Sequence, residues 1–241
     1  MDDKLIYCSL IYFVAFFVRG LTGFGAGLIG IPVMAMMYPL NFVVPLHLFF
    51  ETIVGFFLLP KAWKDVDWKQ VANLSAGMFV GNLSGAYVLA QLGDEVLKAV
   101  LAVVVLGFAV HMGWSAGRPA TWKVPASWAL VFGLVGGVFG GALGMSGPLV
   151  VLYLANRFTR KEGLRATLIA LFQVVGIWTF GAYVWHGLYT EESVSVGLRL
   201  LPTFVVALTL GQMAHVRISE VVFRRVMAAV LLISGLLLVF G

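Results

Sequence analysis

The chain has 241 residues, 61% of them hydrophobic and only 11% charged, with a mean hydropathy of +0.99. Globular chains carry about 25% charged residues, so this composition excludes a soluble domain and predicts a polytopic helical membrane protein. The net charge of +5 sits in short loops, where it reports membrane orientation and not a nucleic-acid partner. The single cysteine, Cys8, excludes an internal disulfide and a cysteine-based metal cluster.

The first apolar block covers residues 5–37 and is interrupted at residues 19–32, Arg-Gly-Leu-Thr-Gly-Phe-Gly-Ala-Gly-Leu-Ile-Gly-Ile-Pro. It lacks a small-residue cleavage site after a short apolar core, so it is expected to stay in the mature protein. A turn at residues 38–41 leads to a span over residues 42–59 that ends at Pro60, since proline breaks helices. After the charged loop 61–69 come spans at 71–92, with Asn82 and Ser84 inside, and at 96–114. The Gly/Pro-bearing loop 115–125 is the midpoint. The second half repeats the plan. A block over 128–156 contains Gly-Gly-Ala-Leu-Gly-Met-Ser-Gly-Pro from Gly140, and spans follow to Trp185, to Met213 and to Phe240.

A shift of 121 residues lays Gly20 on Gly141, Gly23 on Gly144, Gly25 on Ser146, Val54 on Val175 and Gly55 on Gly176. A shift of 126 lays Asp94 on Glu220, Val96 on Val222 and Lys98 on Arg224. Two groups in the same order with nearly equal offsets indicate duplication, with residues 1–116 and 117–241 as the two membrane repeats.

Loop charges choose between two topologies. If each glycine-containing block crosses once, the basic residues divide eight against seven, which is no bias. If each block enters and returns on one side, twelve lie inside, among them Lys61, Lys64, Lys69, Arg157, Arg165 and Arg225. Only Lys4, Lys98 and Arg199 lie outside, which satisfies the positive-inside rule. The stretch from Leu5 to Arg19 also reads as too short to cross. The expected fold is therefore all-α: two inverted repeats, each a re-entrant or broken helix hairpin plus three transmembrane helices. Both termini are expected in the periplasm.

Glycines uncover backbone groups, which lipid tolerates only where they face protein or a wet cavity. The helix restarting after each interruption offers free N–H groups and the positive end of its dipole, a place for an anion. Ser146-Gly147-Pro148 has the composition of a helix start. The expected substrate-binding residues are Thr22, Gly23, Phe24, Gly25 and Ala26 with Gly144, Met145, Ser146 and Gly147, the two tips facing each other across one anion. Thr52 and Gln173, aligned with each other beside the hairpins, join them. The competing use of such glycines is close helix packing, which is expected for Gly55, Gly176, Gly211 and Gly235.

Glu51 falls mid-span, where an ionisable group costs about 2.5–3.5 kcal/mol and marks a functional candidate. His47 lies one turn earlier on the same face, and the pair is expected to carry coupling protons. The competing role for Glu51 is that of a protonated hydrogen-bond donor between helices. Arg19 is expected as a charge partner, either for Glu51 or for the substrate. His111, His186 and His215 fall near span ends without an i, i+4 histidine pair, so no metal site is expected. No cofactor is expected either. Trp63, Trp68, Trp114, Trp122 and Trp185 sit where interfacial anchors do.

The Gly20-x-x-Gly23-x-Gly25-x-Gly27 motif with Pro32, the Gly140-Gly141-x-x-Gly144-Met145-Ser146-Gly147-Pro148 motif, and the Lys98 and Arg224 segments resemble the sulfite exporter TauE/SafE family. Where that family often has three consecutive glycines, this chain has Gly25-Ala26-Gly27 and Ser146-Gly147-Pro148. The resemblance implies a secondary transporter of the inner membrane, moving a small anion such as sulfite or an organosulfonate, with protons as the coupling ion. Two other readings compete with it. An anion channel would use the same dipoles. An intramembrane enzyme would need a third group beside Glu51 and His47, and the sequence offers none.

Overall fold

A computed structural model describes residues 2–22, 25–115, 124–154, 157–158, 161–214 and 220–240. The described residues form ten α-helices and no strand: α1 (Asp2–Thr22), α2 (Ala26–Ala35), α3 (Leu40–Ala62), α4 (Trp68–Gln91), α5 (Asp94–Ser115), α6 (Ala129–Leu143), α7 (Gly147–Leu154), α8 (Lys161–Trp185), α9 (Glu191–Met213) and α10 (Glu220–Phe240). Short 3-10 turns at Trp63–Asp65 and Ala126–Trp128 precede α4 and α6.

The element order repeats, five helices and then five. The shift of 121 carries the end of α1, Thr22, onto the end of α6, Leu143, and the start of α2, Ala26, onto the start of α7, Gly147. The shift of 126 carries the start of α5, Asp94, onto Glu220, the first described residue of α10.

Side-chain caps explain several helix starts. Asp67 accepts the Lys69 and Gln70 N–H groups at 3.1 Å each, filling two of the orphan donors that open α4. At α9, Thr190 and Ser193 cap each other's N–H at 3.2 and 3.0 Å, with Glu191 and Glu192 complementing the dipole in the first turn. Pro60 does not end the second span, because α3 runs on to Ala62. A proline that close to a helix end disturbs only the last turn.

Among the described residues six helices are long and apolar enough to cross a membrane: α1, α3, α5, α6 with its preceding turn, α8 and α9. This corrects the length argument about the first limb. The helix begins at Asp2 and continues through Arg19 to Thr22, so α1 has 21 residues and spans about 31 Å at 1.5 Å per residue. Its length therefore permits a crossing.

The chain divides into two compact units, and each takes helices from both halves. One comprises Met1–Val43, Leu92–Ala120 and Val194–Gly241; the other comprises Val44–Gln91 and Thr121–Ser193.

In the second unit α4 and α6 run parallel and in close contact. Gly77, Gly81 and Gly85 face Gly133, Gly137 and Gly141. A methyl on Gly81 would strike the Leu134 carbonyl, and one on Gly137 would come within 2.7 Å of the Met78 carbonyl. Spacing of four residues puts these glycines on one face, where small residues let membrane helices pack backbone to backbone. Leu74, Met78, Val150, Tyr153 and Leu171 form the buried core beside this seam.

The α6–α7 pair is a closed hairpin. At its open end Tyr153 donates to the Ala126 carbonyl at 3.3 Å, and Arg157 Nη2 to the Val124 carbonyl at 2.7 Å. The Arg157 guanidinium lies over the Tyr153 ring at 4.2 Å. At the same end of the unit the Asp67 N–H donates to Thr167 Oγ1 at 3.0 Å, which brings the 63–67 segment to the start of α8. The other end is tied by Tyr189, whose hydroxyl donates to the Pro45 carbonyl at 3.2 Å. Burial there pushes the Tyr189 phenol far above its ordinary pKa, so it stays a donor.

In the first unit the chain leaving α2 also returns to its entry. Lys4 Nζ sits 5.8 Å from the Tyr38 ring centroid. Asp94 accepts the Leu40 N–H at 2.7 Å and pairs with Lys98 at 2.8 Å, tying the starts of α3 and α5. Phe16 meets Phe204 edge-on at 4.8 Å between α1 and α9.

Candidate functional site

Each hairpin has a break at the aligned position. In the first, α1 ends at Thr22 and α2 restarts after Gly25, whose φ of 97° is left-handed and favours glycine. The space around Gly25 is open, with nothing within 4 Å of where a Cβ would stand. Ala26, the first residue of α2, is fully buried. Gly23 and Phe24 lie outside the described residues, as does the side chain of Thr22.

In the second hairpin Gly144 ends α6 at φ 66°, and its N–H returns to the Gly140 carbonyl at 2.9 Å. Met145 is buried, Ser146 and Gly147 are half-buried, and α7 starts at Gly147. The Ser146-Gly147-Pro148 composition is thus realised as a helix start. Tyr183 donates to the Gly141 carbonyl at 2.7 Å, satisfying one of the carbonyls left over at the end of α6.

Not every glycine of the two motifs serves the break. A methyl on Gly141 would strike the Asn82 carbonyl, and one on Gly20 would meet the Leu208 carbonyl at 2.6 Å. Gly85 meets the Val138 carbonyl, and Gly211 meets the Phe17 carbonyl in the same way. These are equivalent atoms under the two shifts. The last turn before each break is therefore clamped against a neighbouring helix, α9 for the first hairpin and α4 for the second. Packing at Gly211 was expected, but packing at Gly20 and Gly141 was not.

The two breaks differ in polarity. Arg19, on α1 just before the first break, is 2% exposed. Its aligned position in the second repeat is Gly140. There Asn82 Oδ1 and Ser146 Oγ lie 3.0 and 3.4 Å from where a Cβ would stand. Asn82 is buried and donates to the Met78 carbonyl at 2.8 Å. Its counterpart under the shift of 126 is Leu208. One repeat thus carries a buried arginine on the helix leading to its break, the other a carboxamide and a hydroxyl beside Gly140. The sequence marks Asn82 only as a polar residue inside a span, and the Gly-x-x-x-Gly spacing around it was the signal available. Ser84 is exposed and only back-bonds to Val80.

Beside the second break α3 crosses α8. Thr52 lies over Gly176, its Oγ1 3.7 Å from a Cβ built there, while the Gln173 amide lies against Gly55. Under the shift of 121 Thr52 maps onto Gln173 and Gly55 onto Gly176, so each polar residue covers the other helix's glycine. The order of contacts reverses along the two chains, so the helices are antiparallel there. The Thr52 hydroxyl donates to the Leu48 carbonyl at 2.8 Å, leaving it only as an acceptor. Gln173 is 4% exposed, and neither its Oε1 nor its Nε2 has a hydrogen-bond partner. Leaving a buried amide group unmet costs about 1–3 kcal/mol, a cost structural packing alone does not require.

On α3, His47 Nε2 is 3.8 Å from Glu51 Oε1, with the two side chains 5% and 20% exposed. At the position aligned with Glu51, Phe172 packs 3.9 Å from where a Cβ on Gly147 would be. Among the described residues no three His, Cys, Asp or Glu side chains gather as a metal would need.

Long apolar helices with a repeated interruption fit a multi-pass membrane protein. The chain belongs to the sulfite exporter TauE/SafE family, which it matches over residues 8–238. It is 26% identical over 230 residues to a probable sulfite/organosulfonate exporter TauE of Cupriavidus necator, an alignment covering 91% of this chain and 87% of that protein. No solved structure matches it.

Proposed function

We propose that the protein is a secondary transporter moving sulfite or a small organosulfonate anion across the inner membrane. The observation that carries this reading is the repeated break, one per five-helix repeat and each followed by a restarting helix, in a chain of this family. The N–H groups that open α2 and α7 and their dipole ends would receive the anion. Residues 22–26 at the first break and 144–147 at the second are the proposed anion-binding segments. Arg19 supplies positive charge at the first break, and Asn82 and Ser146 supply neutral polar contacts at the second. One sulfite is expected to bind per chain.

Residues 1–116 and 117–241 are the two repeats, inverted relative to each other. The reciprocal, antiparallel contact of α3 with α8 supports inversion, because elements related by a two-fold axis make the same contact twice. The closure of each hairpin on its own entry supports re-entry instead of crossing. In this reading α3, α4, α5, α8, α9 and α10 cross, and both termini are periplasmic. Glu51, paired with His47, carries the coupling proton.

The test is uptake of labelled sulfite and methanesulfonate into proteoliposomes. Saturable flux with trans-stimulation, accelerated by a proton gradient, is the expected result. Flux that stays linear far past the millimolar range and ignores the gradient would make the protein a channel.

A further inference from the structure

We infer that the Gln173 amide is a direct ligand of the transported anion and binds its sulfur–oxygen head group, not an organic tail. This rests on the transporter reading above and adds the part of the substrate that Gln173 holds and the atom that holds it. Gln173 is the buried side chain at the α3–α8 crossing with both polar atoms unmet, at 4% exposure. Its position is fixed from below. Oε1 stands where a Cβ on Gly55 would be, so any larger residue there would displace it. With the carbonyl side of the amide turned onto Gly55, Nε2 with its two protons is the side proposed to meet the anion. A primary amide presenting N–H groups recognises acceptor oxygens. Sulfite and sulfonates share that feature, and an alkyl tail lacks it.

The location agrees with this role. The residue before Gln173, Phe172, touches the second break at Gly147. The aligned residue Thr52 cannot substitute for it, because its hydroxyl proton is committed to Leu48. The duplicated pair has therefore divided: one member completes its own helix's bonding, and the other keeps its donors open.

The experiment compares wild type, Gln173→Met and Gly55→Ala, purified in lipid nanodiscs. Binding of sulfite and of ethanesulfonate is measured by calorimetry, and unfolding of the ligand-free proteins by thermal shift. Methionine fills the same volume over Gly55 without donors. In the second variant the added methyl meets only the flexible end of Gln173, so it moves the amide and spares the backbone. The expected result is at least a tenfold loss of affinity in both variants, equal for the two ligands, with unchanged or higher ligand-free Tm in Gln173→Met. Unchanged affinity with a lowered Tm would make Gln173 a structural residue and overturn the inference. Loss confined to ethanesulfonate would overturn the head-group assignment. Should the wild type bind neither anion, the transporter reading itself fails, a result distinct from the other two.

Discussion

Glu51 and His47 occupy successive turns of one face of α3, 3.8 Å apart, with the carboxyl the more exposed of the two. That separation lies beyond hydrogen-bond length, so a shift of either side chain closes or opens the pair, as a proton-handling couple requires. Replacing Glu51 by Gln keeps the shape and removes the titration. Proton-driven uptake should fall to the background of empty liposomes while counterflow exchange of sulfite persists. Retention of both activities would remove Glu51 from coupling. Residue type and position along a span mark Glu51 and Arg19 as candidates in the sequence, and alignment with Thr52 marks Gln173. That Gln173 has no partner and that Thr52 has one depends on which helix each faces, and an apolar sequence does not encode that visibly.

At the scale of the element, glycine has two uses that look alike in sequence. Gly25 and Gly144 adopt left-handed backbone at the breaks, whereas Gly81 and Gly137 let α4 and α6 touch. Alanine at Gly81 or at Gly137 must push a backbone away, and overpacking of this kind costs about 1–3 kcal/mol. Each variant should lower the Tm by several degrees. The double variant should cost less than the sum, because both open the same seam. Gly107, mid-helix on α5 with nothing within 4 Å, is the control. Alanine there should be neutral or stabilise by about 0.5–1 kcal/mol. Two span ends read from the apolar pattern, at Trp185 and Met213, coincide with helix ends. The first limb did not, because its charged residues at 2–4 and the Arg19 turn are helical as well. Polarity marks where a helix leaves lipid better than where it ends.

For the whole molecule the decisive question is which loops share a side of the membrane. If each broken hairpin crossed, the 61–69 loop and the 157–165 segment would be separated by the bilayer. In the second unit the Asp67 N–H instead meets Thr167 near the start of α8, close to the Arg157 tie. The basic residues Lys64 and Arg157 therefore belong to one end of that unit, while Tyr189 and the acidic start of α9 are held at the other. Loop charge groups residues 61–69 with 157–165 as an expectation, because a positive-inside bias acts on loops whatever the helices between them do. The division is testable with single cysteines at two exposed positions, Lys64→Cys and Glu191→Cys, in a background where the buried Cys8 is replaced. In intact cells a membrane-impermeant maleimide should label position 191 and leave position 64 untouched until the membrane is opened. Labelling of both from one side would mean that each broken hairpin crosses. The two restarting helices would then no longer be re-entrant limbs returning to the side they came from, and the inverted architecture would have to be abandoned.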